Sequence, residues 1–180
     1  DRYLVTSEGD AKLVVLDART WSVVTETPMF GQPRVPAFTP AGDKLYQTIR
    51  WLNGALVVDT AKNAVVDRIA LGEERFATDG KDAHGIAVSP DGAEVWITTQ
   101  TTDAATIVST RTHAVVGHVT VGRDPNWIEM TGDGAMAVVS NTGSNNVSLI
   151  DVRERRVVKT VAVGPGPKRL TVAAVQRGQR

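Results

Sequence analysis

Four copies of one pattern run through this chain. Each is a Val-rich strand closing on an acidic or small polar residue, a short turn, a second Val-rich strand, then Gly and Pro. The first anchor is Asp17 in Val15-Leu16-Asp17, Asp59 in Val57-Val58-Asp59, Ser109 in Ile107-Val108-Ser109 and Asp151 in Leu149-Ile150-Asp151. These anchors lie 42, 50 and 42 residues apart, and the Gly anchors Gly31, Gly72, Gly122 and Gly164 lie 41, 50 and 42 apart. A unit of that length built from short strands cannot bury its apolar surface alone, so it stacks on its neighbours, and this period is the mark of a propeller. The fold expected is all-β: one propeller domain of four-stranded antiparallel blades, with repeats at about 1–34, 35–84, 85–126 and 127–168 and a closing strand within 169–175. Such a repeat specifies a scaffold and leaves function to the positions that depart from it.

Within the units the strands align without gaps. Second strands are expected at 3–6, 45–48, 95–98 and 137–140, third strands at 13–16, 56–58, 106–108 and 147–150, and outer strands at 21–25, 64–71, 114–121 and 156–163. Innermost strands follow the Gly/Pro connection at 35–39, 85–89 and 127–131. Val, Ile, Thr and aromatic residues dominate them, as a pleated, half-buried surface favours. Each innermost strand ends in a turn, Pro40-Ala41-Gly42, Pro90-Asp91-Gly92 or Gly132-Asp133-Gly134, where Asp-Gly would supply the positive φ of a two-residue hairpin. No segment calls for a helix. The longer interval places a polar insertion at 73–83, between the second and third units. The chain opens on Asp1 inside a second strand, and one more strand is expected at 170–175 after Gly164-Pro165-Gly166-Pro167. That last strand would complete the first blade of a closed four-bladed ring, which removes sheet edges. The other expectation is the C-terminal part of a seven-bladed propeller, with further blades upstream.

Bulk properties exclude several function classes. Lys and Arg together number 20, as do Asp and Glu, so the formal net charge is zero and a general nucleic-acid-binding face is not expected. The chain has no Cys, which removes disulfides, thiolate metal sites and cysteine nucleophiles. No stretch is long and apolar enough to span a membrane as a helix.

Candidate functional residues come from position-specific differences. The repeated Asp17, Asp59 and Asp151 are read as turn formers, because an Asp side chain before a turn accepts bonds from backbone N–H groups two or three residues on. The residue eight before each turn Gly is different: Arg34, His84 and Asn126, with Lys168 at the same place in the last copy. This position enters the innermost strand beside the channel, so these side chains would ring its mouth. Cations there would favour a carboxylate or phosphate. The loops between second and third strands lie on the same face, and Arg50-Trp51 stands out because the counterparts of Trp51 are Gly9, Thr101 and Gly143. Trp51 would stack on a ligand or partner beside Arg50, or pack on the 73–83 insertion. Trp127 would line the channel, Trp96 would be core, and His113 and His118 would stay on the outside. Three scattered His residues make no zinc site, and no nucleophile with a paired base is evident.

The run Asp133-Gly134, Val138-Val139-Ser140-Asn141, Asn145-Asn146-Val147, Leu149-Ile150-Asp151, Val157-Val158, Val163-Gly164-Pro165-Gly166-Pro167 resembles the bacterial and archaeal YVTN-type β-propeller repeat. The resemblance covers the whole chain in four units, best in the last and least in the first. It implies an exported, periplasmic or extracellular protein, usually of seven blades. It implies a non-catalytic binding or interaction module with a protein or a small anionic ligand at the channel mouth, and no cofactor. The alternative it leaves open is a cofactor-bearing or hydrolytic propeller, of the haem d1 or quinone type or lactonase-like, with His84 as the one candidate haem ligand.

Overall fold

The computed structural model describes residues 1–72 and 82–173, and its regular structure there is entirely β. The first sheet has three strands, β1 (Arg2–Ser7), β2 (Lys12–Asp17) and β3 (Val23–Pro28). The second has four, β4 (Pro33–Phe38), β5 (Lys44–Ile49), β6 (Gly54–Asp59) and β7 (Ala64–Ala70). The third comprises β8 (Ala83–Val88), β9 (Glu94–Thr99), β10 (Ala104–Ser109) and β11 (Val115–Thr120). The fourth comprises β12 (Pro125–Met130), β13 (Met136–Asn141), β14 (Asn146–Asp151) and β15 (Arg156–Ala162). Each sheet is an antiparallel meander, and the innermost strands of successive sheets touch, β4 on β8 and β8 on β12. The fold is a β-propeller arrangement of blades.

Burial follows a strand's place in its blade. The middle strands β5, β6, β9 and β10 are buried along almost their whole length, because both faces of an inner blade are covered. The outer strands β7, β11 and β15 are largely exposed. The core is a series of layers between blades. Leu13 and Met29 meet Leu45, Leu56 and Val58; Tyr46, Val57 and Ile69 meet Val95, Ile97 and Val108; Trp96 and Ile107 meet Val139 and Ile150. Each side chain so buried contributes about 1.5–3 kcal/mol.

Polar bonds hold the blades in register. Asp17 accepts from the Arg19 and Thr20 amides at 2.9 and 2.7 Å, Asp59 from Ala61 and Lys62 at 3.1 and 2.9 Å, and Asp151 from Glu154 at 2.8 Å, so the repeated acids are turn formers. A hydroxyl in three of the four second strands bonds its own innermost strand and the next one. Thr48 Oγ1 accepts from the Val35 amide (3.1 Å) and donates to the His84 carbonyl (2.7 Å). Thr98 does the same between Gly85 (2.7 Å) and Asn126 (3.4 Å), and Ser140 between Trp127 (3.1 Å) and Lys168. One β-bulge recurs between the third and outer strands of every sheet, at Val15/Leu16, Val57/Val58, Ile107/Val108 and Leu149/Ile150. Each adds local twist to its blade.

Several expectations are corrected. The innermost strands begin two residues earlier than expected, at Pro33, Ala83 and Pro125, because a proline is tolerated as the first residue of an edge strand. The polar insertion therefore ends before Ala83; residues 73–81 lie outside the described residues. The inner turns are not two-residue hairpins. Thr39 bonds Lys44 across four intervening residues, with the Gly42 amide returning to Thr39 and Gly42 at φ 71°. In the first sheet the outer strand starts at Val23, since Trp21 takes the left-handed position of the turn at φ 59°. Residues 169–173 of the expected closing strand are in no sheet, and the first sheet keeps three strands; residues 174 and 175 lie outside the described residues.

Candidate functional site

A cavity of about 480 Å³ opens where the chain enters the innermost strands. Arg34, His84, Asn126, Trp127 and Lys168 line it, with Arg50, Thr6, Glu8 and Arg169. The repeat brings the first set together: each is the first or second residue after the strand-entry step, and the entries at His84, Asn126 and Lys168 are pinned by a hydroxyl of the preceding blade. The approach is close enough to demand glycine at one point. A Cβ on Gly85 would stand 2.7 Å from the Asn126 carbonyl oxygen and 2.8 Å from the Trp127 Cα, so a side chain there would push β8 and β12 apart beneath the cavity.

The cations of the wall are unequally engaged. Arg34 pairs with Asp82 at 3.4 Å, and Arg50 with Glu8 at 3.6 Å. Arg169 lies over the ring of Trp127, 5.7 Å from its centroid. Trp127 is held in turn by donating from its indole nitrogen to Glu129 at 3.1 Å. Among the described residues Arg34, Arg50, Lys168 and Arg169 stand against Glu8 and Asp82, an excess of positive charge at this mouth.

His84 and Asp82 are both held away from their ordinary values. Burial, reinforced by Arg34 and opposed by a hydrogen bond to the Asn126 backbone, pushes His84 down to about 4, so its ring is neutral at pH 7. Burial pushes the Asp82 carboxyl up, against the pull of Arg34 and the Trp51 amide. Two oppositely perturbed groups beside one cavity are a pattern associated with functional sites. His84 Nδ1 is enclosed without a hydrogen-bond partner, and the ring bonds to the Asn126 backbone. Among the described residues no group of three or more His, Asp or Glu could hold a metal ion.

Trp51 is not part of the wall. It sits at φ 69°, is 40% exposed, lies beneath Arg50 (5.0 Å to the ring centroid) and donates its amide to Asp82. A positive φ on a bulky side chain is rare. The Asp82 bond and the Arg50 contact hold the loop in that shape, so Trp51 braces the mouth from behind. His113 and His118 lie on outer strands and turns, and Trp96 is fully buried. Sequence reasoning missed Asp82, which is 1% exposed yet ties both Arg34 and the Trp51 loop. Its signal was its place two residues before His84, matching Asp124 before Asn126, but the insertion absorbed it.

No protein-family model matches the chain, and no curated protein does. Among solved structures it is similar to a chain of hydrazine synthase from Kuenenia stuttgartiensis, a β-propeller-containing protein, with a TM-score of 0.80 and 25% sequence identity over 91% of this chain. This chain spans 46% of that one, less than half its length. The likeness agrees with the propeller reading of the sheets.

Proposed function

We propose that this chain is a non-catalytic binding module of the YVTN propeller type, exported from a bacterial cell, whose mouth binds a small anionic ligand. The single observation that supports the reading best is the convergence of Arg34, Arg50, Lys168 and Arg169 on one cavity of a chain whose net charge is zero. Lys168 and Arg169 would meet the anion, since Arg34 and Arg50 already face Asp82 and Glu8. The neutral His84 adds no charge and offers an imidazole edge, and Trp127 offers a flat apolar wall. Charge-assisted bonds to carboxylate or phosphate supply affinity in such a setting, and screening by salt weakens them.

Calorimetric titration with inorganic phosphate and with citrate, at low salt, tests this. Binding is expected for at least one anion, weakened about tenfold or more in Lys168→Ala/Arg169→Ala and reduced by added salt. No heat with either anion, or binding indifferent to that double substitution, overturns the proposal.

A further inference from the structure

Two junctions between complete sheets are built from the same repeat positions, and they differ by one carboxylate. Each encloses a cavity at the end of the strands opposite the mouth. Between the third and fourth sheets it is about 340 Å³ and is bordered by Ser89, Glu94, Asp133 and Arg155. Between the second and third it is about 290 Å³ and is bordered by Thr39, Asp43, Lys44, Tyr46, Asp91 and Thr110. The register equates Lys44 with Glu94 and Tyr46 with Trp96. Lys44 stands opposite Asp59 and Tyr46 opposite Val57, as Glu94 stands opposite Ser109 and Trp96 opposite Ile107. The left-handed turn residues His113 and Arg155 are equivalent too, each reaching back onto the blade before it.

Between the third and fourth sheets the Glu94 carboxylate closes a network. It accepts from the Trp96 indole nitrogen at 3.0 Å and from the Arg155 guanidinium at 2.6 Å. Between the second and third sheets Lys44 brings a cation to the place of that acid. Tyr46 there is 0% exposed and borders the cavity, and its hydroxyl has no hydrogen-bond partner among the described residues. His113 stands edge-on to the Tyr46 ring, 6.0 Å between centroids. Its Nδ1 pairs with Asp67, and its Nε2 is likewise enclosed without a partner. Buried polar atoms left so are rare and costly. On the rim stand two acids, one from each blade. Asp43 accepts from Thr39 Oγ1 at 2.5 Å, and Asp91 from Ser89 Oγ at 2.6 Å and the Ala93 amide at 2.9 Å. A simple anion entering here meets those two carboxylates, and a simple amine meets Lys44. A ligand that carries both charges a short way apart satisfies both.

We propose that the cavity between the second and third sheets binds a small zwitterion of the amino-acid type. Its carboxylate takes the place that Glu94 fills in the next junction, accepting from the Tyr46 hydroxyl and facing Lys44. Its ammonium faces Asp43 and Asp91. Drug-sized ligands take roughly 300–1,000 Å³, so a space of about 290 Å³ suits a smaller one. Both walls belong to the middle of the row and the mouth lies at the other end of the strands, so nothing here rests on the anion reading.

Glycine and β-alanine, titrated against the chain and followed by amide chemical shifts, test this, with acetate and methylammonium as the separate halves. At least one zwitterion is expected to move the amides of Lys44, Tyr46, Gly92 and Thr110, and to bind about tenfold or more tighter than either half. Tyr46→Phe keeps the ring and removes only the hydroxyl. It is expected to weaken binding about tenfold or more without lowering the thermal midpoint, since that hydroxyl has no partner to lose. Lys44→Glu supplies the carboxylate from the chain itself, as Glu94 does, and is expected to abolish binding while the folded spectrum is kept. Acetate that binds as tightly as both zwitterions overturns the proposal. So do shifts confined to the mouth, binding indifferent to the two substitutions, or no shift with any of the four probes at millimolar concentration.

Discussion

His84 shows what burial does to a single ionisable group at the mouth. Its folded value of about 4 lies below the ordinary histidine value of 6.5, so the folded chain binds fewer protons than the unfolded chain between those pH values. The associated stability is therefore fully present above pH 6.5, is lost as pH falls from 6.5 to 4, and levels off below that. Partial exposure discounts the effect to roughly 1–2 kcal/mol. His84→Gln is expected to flatten the acid limb of a denaturation series within that window, and NMR titration of the wild-type imidazole should give a midpoint near 4. Asp82 supplies the matching case for a carboxylate. Arg34→Met leaves it buried with its cation removed, and such a loss costs about 3–5 kcal/mol when the partner is fully enclosed and less here, because Arg34 retains some exposure. Restoring neutrality with Arg34→Met/Asp82→Asn should recover much of the midpoint in a urea melt.

At the scale of the strand, the hydroxyls of Thr48, Thr98 and Ser140 join each blade to the next by accepting from one innermost strand and donating to the following one. Thr98→Val keeps the shape and removes both bonds, leaving the buried Gly85 amide without its acceptor; a loss of about 1–3 kcal/mol is expected in chemical denaturation. Gly85→Ala should be worse than a methyl group's size suggests, since the atoms it meets are backbone. The third and second strands were legible in the sequence because the repeat lays four copies over one another and Val-rich runs survive in each. The starts of the innermost strands were not, because Pro33 and Pro125 look like turn residues until their edge position is known. The bulges left no trace, since an extra residue between two Val positions does not alter composition. Arg34, His84, Asn126 and Lys168 were readable as a ring because one repeat offset places all four. Asp82 was hidden by the length change just before it, and Trp21 by the assumption that the first outer strand began there.

For the whole molecule, a row of blades in which each touches only its neighbours makes stability close to a sum of blade and interface terms. The middle of such a row is covered on both sides, and its ends on one. β5, β6, β9 and β10 are buried almost throughout, whereas β1 and β15 are largely open. Native-state hydrogen exchange should therefore rank the strands by position rather than by sequence. Amides of the second and third sheets should exchange only with global unfolding, and those of β1 and β15 through cheaper local openings. The mouth spans both regimes: His84 and Asn126 belong to the protected middle, Lys168 and Thr6 to the ends. A ligand that bridges them would draw the end strands into the cooperative unit, so saturating anion should slow exchange in β1 and at 168–173 more than in β9 or β10. If protection instead rises evenly across all the described strands, the ligand acts on the global equilibrium alone and the ends are already part of one cooperative body.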